Sequence, residues 1–147
     1  MVGVTDYPVP EAEPGDVWEH LKSNADAQLV DVRTQAEWTF VGQPDLSALN
    51  KSVVLAQWSS FPEQAVDPQY ADKLGQALEN AGLDKDTPLF FLCRSGVRSL
   101  AAARAMAALG YTQCHNVTDG FEGPHDAERR RGRIAGWKAS GLPWSQG

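Results

Sequence analysis

The run Leu89–Leu92, LFFL, has no polar position, and a cysteine follows it at once. A strand with one wet face alternates apolar and polar residues. A run without alternation is buried on both faces. Such a strand belongs at the centre of a parallel sheet, where helical crossovers cover both sides. This stretch therefore argues against a helical bundle or an open antiparallel sheet, and it asks the rest of the chain for alternating strands and helices.

The flanking sequence supplies that alternation. Pro14 and Gly15 break the preceding segment, and Asp16 with Glu19 has capping-box spacing, which predicts a first helix starting near Asp16 with Trp18 and Leu21 facing the core. AQLVDVR predicts a buried strand ending near Arg33. Thr34 and Glu37 in TQAEW form a second capping box and predict a short helix directly after it. VGQPDLSALNK is a loop, SVVLAQW a strand and SSFPEQAV a further loop. Asp67 as N-cap, Pro68 in the first turn and Gly82 past the end define the next helix, with Tyr70, Leu74, Ala77, Leu78 and Ala81 on its apolar face. A helix over 99–109 closes at Gly110, TQCHNV is the last strand, and TDGFEG is a loop. A further helix is expected near 127–139, before GWKASGLPW.

The 147 residues suit one domain, taken here as 1–147, and a hydrophobic fraction of 42% with five tryptophans is enough for its core. No stretch is long and apolar enough for a membrane span, and MVGVTDYPVPEAEP lacks the basic start and apolar centre of an export signal. Two cysteines are too few for a disulfide framework, and together these features predict a cytoplasmic protein with reduced thiols. The histidines His20, His115 and His125 are scattered, so no metal site and no cofactor is expected. Charge is uneven: residues 1–92 hold 5 Lys+Arg against 15 Asp+Glu, whereas 93–147 hold 8 against 4. An acidic chain whose basic part begins at a cysteine is a poor match for nucleic acid and a better one for a small anion.

A thiol attacks as its thiolate, and an ordinary cysteine is mostly protonated at neutral pH. CRSGVRS, residues 93–99, carries three features that favour the anion. The N–H groups of a tight loop can converge as a nest. The N-terminus of the following helix adds partial positive charge. Arg94 and Arg98 add full charges. Gly96 permits a backbone conformation closed to other residues, and Ser95 and Ser99 offer hydroxyl donors. A cysteine ending an apolar strand is by itself an ordinary small core residue; the neighbours, not the cysteine, carry the functional reading.

CRSGVRS at 93–99, LVDVRTQAEW at 29–38, NVTDGFEG at 116–123 and GWKASGLPW at 136–144 together resemble the single-domain rhodaneses, in that family's order and over most of the chain. The resemblance implies a rhodanese-like α/β fold, a central parallel sheet flanked by helices on both faces. It also implies sulfur transfer through a persulfide on Cys93, with Arg94, Ser95, Gly96, Val97 and Arg98 as the anion-binding loop. The donor would be thiosulfate or a similar small sulfur-containing anion. The acceptor would be cyanide or a thiol, including a protein thiol. A persulfide carrier or regulatory partner-binding module with little thiosulfate turnover is the alternative. Phosphatases and arsenate reductases on related folds have an arginine six positions after the cysteine; here Ser99 stands there and Arg98 stands one earlier, too short a loop for a phosphoryl group.

Asp31 and Arg33 are candidates for the pocket border, with Arg33 drawing in the donor anion; the competing reading is that they brace neighbouring loops through charge-assisted bonds. Ser99 and Trp58 are further border candidates. Trp38 and Phe40 are expected in the core or pocket wall, and Glu37 is expected to cap a helix. The family's common histidine-containing turn is replaced by a longer loop before Trp58, which leaves donor and acceptor specificity open. ERRRGR, 128–133, is either a solvated face or an anion-attracting patch near the site. Cys114 is expected to be a buried structural thiol rather than a resolving one, and His115 an ordinary strand residue.

Overall fold

The computed structural model describes residues 7–60 and 65–146. In chain order the elements are β1 (Glu11–Ala12), α1 (Pro14–Ser23), β2 (Gln28–Asp31), α2 (Gln35–Phe40), β3 (Gln43–Pro44), a 3-10 turn (Ser47–Leu49), β4 (Val54–Leu55), α3 (Tyr70–Asn80), β5 (Leu89–Leu92), α4 (Val97–Ala108), β6 (Cys114–Val117) and β7 (Trp144–Ser145). The main sheet has the order β1-β6-β5-β2-β4, parallel at every pairing. All four residues of β5 are buried, and the strand occupies the middle of the sheet, as its composition requires.

The period of two along β5 divides the core between the two faces. Leu89 and Phe91 point toward α3 and α4, among Leu74, Leu78, Ala102 and Met106. Phe90 and Leu92 point the other way, onto Val17 and Leu21 of α1, Phe121 and Trp137. Helices thus cover both faces, and each fully buried side chain of this size contributes roughly 1.5–3 kcal/mol. The alanines of α4 are why that helix sits close to the sheet: Ala102 and Ala103 are fully buried against it.

Several local expectations are corrected. α1 begins at Pro14, and neither Asp16 nor any other side chain caps it; Pro14 takes the first helical turn, where a missing N–H costs nothing. Val17 is fully buried, while Trp18 is partly so and meets Trp137 edge-on at 6.0 Å. The strand expected from SVVLAQW is two residues long. Asp67 does not cap α3; Gln69 holds that position, and Asp67 accepts the Gln69 N–H and pairs with Lys73. Ala77 and Ala81 are exposed, whereas Gly75 is buried against Leu109 and Tyr111. α4 starts at Val97, two residues early, so Arg98 and Ser99 lie in its first turn. Residues 127–139 form turns, not a helix, because the Asp126 carboxylate collects the N–H groups of Glu128 and Arg130. β1 and the antiparallel ribbon β3–β7 were not expected. The stretch 61–64 of the loop SSFPEQAV and residues 1–6 of the export-signal reading lie outside the described residues.

Candidate active site

Chain direction places Cys93 directly past the carboxyl end of the central strand, the edge at which open parallel sheets hold their ligands. Its side chain is nearly closed off, with the residue 1% exposed. Gly96 takes φ +113°, which favours glycine, and this turns its N–H onto Cys93 Sγ at 3.1 Å. Gly96 also begins α4 without a side-chain cap, so the helix opens toward the loop with no competing acceptor from its cap residue. Ser99, fully buried on the first turn, brings Oγ to 3.2 Å from Sγ. The loop therefore gathers a sulfur, a backbone donor and a hydroxyl.

A second loop fixes the position of the first. The N–H of Phe121 donates to the Cys93 carbonyl at 2.8 Å, and those of Glu122 and Gly123 donate to the Arg94 carbonyl. Gly120 makes this approach feasible: a Cβ there would lie 2.4 Å from the Cys93 oxygen. DGFEG is thus the brace of the cysteine loop, and Trp137 N–H in turn holds the Gly120 carbonyl.

Arg98 behaves differently from expectation. Arg98 is not free to meet an anion. Its guanidinium grips Glu37 with two bonds, 2.6 and 2.9 Å, in the fork geometry that suits a carboxylate. Hydrogen bonding to Glu37 raises the Arg98 pKa further, against a burial that would lower it. Burial would raise the Glu37 carboxyl, but the Arg98 bond and charge, helped by Thr34, hold it below its usual value. Glu37 does cap α2 with Thr34, so one carboxylate serves both a cap and a tether. Arg33 is fully buried, bonds Asp31 through Nε and a terminal nitrogen, reaches the Gly42 carbonyl and lies 4.3 Å over the Phe121 ring. It fastens the end of β2 to a neighbouring loop. Arg94 is the exposed cation of the loop, and Val97 is 78% exposed beside it.

Trp58 is half-buried and its ring packs edge-on against Tyr70 at 4.9 Å, while its backbone N–H donates to the Val32 carbonyl past the end of β2. Phe40, expected in the core or pocket wall, is 75% exposed. In 128–133, Arg130 and Arg133 pair loosely with Glu128 and Asp126, and Arg131 bonds the carbonyl of Gly123, next to the brace. Cys114 is buried, and burial pushes its thiol up to about 12. His115 stacks on Phe90 at 4.8 Å, and burial lowers its imidazole. Among the described residues no group of three or more His, Cys, Asp or Glu could hold a metal ion, and no helix is long and apolar enough to cross a membrane.

Two residues near the sulfur escaped sequence reasoning. Asn116 of β6 accepts from Ser99 and donates to Glu11, and Glu11 stands on β1. An asparagine inside the strand CHNV was the available signal.

Residues 12–147 match the family described as the STR4 middle domain. A solved structure, Rv0390 from M. tuberculosis, superposes with a TM-score of 0.83 and 42% identity over 96% of this chain and 100% of that one. An uncharacterized protein of Rickettsia prowazekii is 40% identical over 82% of this chain and 85% of its own length. The chloroplastic rhodanese-like domain-containing protein 4 of Arabidopsis thaliana is 26% identical over 88% of this chain, which spans 24% of that longer protein. The chain belongs to the STR4 middle-domain family and has a rhodanese-like fold.

Proposed function

We propose that the protein is a sulfurtransferase that carries a sulfane sulfur as a persulfide on Cys93. The observation that supports this most directly is the Gly96 N–H aimed at Sγ from 3.1 Å, at the uncapped start of α4. In the first half-reaction the Cys93 thiolate attacks the outer sulfur of a donor such as thiosulfate. A new S–S bond forms, the donor's S–S bond breaks, and sulfite departs with the electron pair. In the second, cyanide or a thiolate attacks the outer sulfur, and the Cys93 thiolate leaves. Donors preorganised in the loop would stabilise the persulfide charge, each worth ~3 kcal/mol where charge develops in a transition state. The two halves give ping-pong kinetics.

One observation favours the second reading, a persulfide carrier with little thiosulfate turnover. Glu37 neutralises Arg98, and Asp31 neutralises Arg33, so neither offers a free charge to a dianionic donor. The donor in that reading is a persulfide delivered by a partner.

Intact mass spectrometry of the reduced protein after thiosulfate separates these. The expected outcome is a gain of one sulfur, ~32 Da, in the wild type and none in Cys93→Ser, with the sulfur removed by cyanide as thiocyanate. No gain on folded, reduced protein sinks the thiosulfate reading. Loading by a low-molecular-weight persulfide instead would then select the carrier.

A further inference from the structure

The carboxyl edge of the sheet carries a row of cations, of which Arg94 stands in the cysteine loop itself. Arg94 is exposed, and its carbonyl is held by the N–H groups of Glu122 and Gly123. The Gly123 carbonyl in turn accepts from the Arg131 guanidinium at 2.6 Å. The next residue, Gly132, donates to the Glu122 carbonyl and lies beside the stem of Lys138. The backbone N–H of Lys138 donates to the Phe121 carbonyl, and its ammonium sits 3.9 Å from the centre of the Trp144 ring. Arg129 is exposed on the same turn and has no carboxylate partner among the described residues. Its φ of +63° is uncommon for a residue with a side chain. Asp126 holds the turn in that shape, through its carbonyl to the Arg129 N–H and its carboxylate to the N–H groups of Glu128 and Arg130. Arg130 and Arg133 meet Glu128 and Asp126 only loosely, at 3.6 Å each. The whole row is therefore fastened to the brace of the cysteine loop, and Val97, Ile134 and Trp144 add exposed apolar surface to it.

We propose that Arg94, Arg131, Lys138 and Arg129 form a basic belt that docks an acidic segment of a partner protein and presents that partner's thiol to the Cys93 persulfide. This deepens the persulfide reading and rests on it. The partner's thiolate attacks the outer sulfur and a new S–S bond forms. The bond to Cys93 Sγ breaks, and its electron pair leaves with the Cys93 thiolate. Two features select an extended acidic segment over a small anion. A small dianion needs charges that converge on one point, and Arg98 and Arg33 are already committed to Glu37 and Asp31. The cations without a carboxylate are spread along the belt, where successive carboxylates of a chain can meet them in turn. The field of the molecule agrees. Residues 1–92 hold 5 Lys+Arg against 15 Asp+Glu. Lys22 ends α1, Lys51 bonds the carbonyls of Asn24 and Ala25, and Lys85 precedes β5, so all three stand at the opposite edge of the sheet. An acidic partner is repelled by the body and drawn to the edge that holds Cys93. The same acidic body disfavours a long nucleic acid, which would extend past the belt.

The first test needs no sulfur donor. A short fluorescent peptide, with one serine flanked by aspartates and glutamates, is titrated with the reduced full chain and followed by anisotropy. Its twin carries asparagine and glutamine instead. The acidic peptide is expected to bind about tenfold tighter, and to weaken as salt rises. Arg129→Glu and Lys138→Glu are each expected to weaken it about threefold to tenfold. Lys22→Glu makes the same change in net charge at the far edge and is expected to leave it unmoved. Equal binding of the two peptides overturns the proposal, as does a loss in Lys22→Glu equal to that in Arg129→Glu. Displacement by sulfate beyond that by chloride of equal ionic strength would assign the belt to a small anion, and tighter binding of a single-stranded oligonucleotide would assign it to nucleic acid; either result overturns the proposal. Arg129→Glu decides the matter even if Lys138→Glu disturbs the packing on Trp144. In the second test the serine becomes cysteine and the chain is loaded with sulfur. The two variants are expected to raise KM for the acidic peptide and to leave kcat, and the rate with the neutral twin, unchanged. Unchanged KM in both variants overturns the proposal. Peptide binding without any sulfur loading fails the persulfide reading alone, so the two failures are distinct results.

Discussion

Cys93 and Cys114 are both buried, yet their surroundings differ in kind. Cys93 has a backbone donor, a hydroxyl and an uncapped helix start within reach. Cys114 lies in the core between the sheet and α4, and burial alone pushes its thiol up to about 12. Protonated and enclosed, it is closed to thiol reagents in the folded protein. Cys93→Ser is therefore expected to take up no maleimide while folded and one equivalent once unfolded; uptake by the folded variant would show that β6 opens. CRSGVRS marked Cys93 because the chemistry of that loop is local. The commitment of Arg98 was not legible, since its partner Glu37 lies 61 residues away and only the packed fold joins them. Asn116 was hidden for the same reason, with its Glu11 partner 105 residues distant.

Among elements, the Glu37–Arg98 pair is the tie between α2 and the start of α4. α2 buries no residue of its own, so this tie and the Thr34 box do much to hold it. The folded Glu37 pKa is depressed from 4.5, so the pair's stabilisation is present above that value and is lost as pH falls through the lower folded value. Glu37→Gln keeps a capping acceptor. It is expected to cost about 1–2 kcal/mol at pH 7, less than a fully buried pair because both side chains keep some exposure. The difference between wild type and variant in urea denaturation should close as the pH drops below 4.5. A gap that stays constant down to pH 3 would mean that the charge contributes nothing. The Thr34 box was readable because both of its members lie within four residues. β3 and β7 were not, since two-residue strands carry no period, and the turns after Pro124 follow from one aspartate side chain that propensity does not see.

For the molecule as a whole, Trp137 shows how the C-terminal segment belongs to the core rather than to the surface. Its ring is fully buried with Phe121, Phe90 and Leu21, and its Nε1 donates to the Pro143 carbonyl. Its backbone N–H holds Gly120, and so the brace of the cysteine loop. Trp137→Ala is expected to cost ~3–5 kcal/mol, read as a lower urea midpoint, and to loosen the loop along with the core. A loss under ~1 kcal/mol would mean that the site is braced independently of that face. The parallel sheet was legible from the apolar run of β5, because only a centre strand is dry on both sides. The outermost pairing was not: β1 is two residues long and, among the described strands, meets only β6.

That last pairing has a consequence for the order in which the protein comes into being. Among the described strands β1 is synthesised first, but the strand it pairs with, β6, is synthesised about a hundred residues later. As the chain emerges, β2, β4 and β5 can already associate, and the cysteine loop follows them out. Asn116 arrives with β6, and only then does the oldest strand find its place and bring Glu11 with it. The nascent chain thus acquires Cys93 before it acquires Asn116 and Glu11, and a ribosome paused ahead of β6 displays a cysteine whose setting is still unfinished.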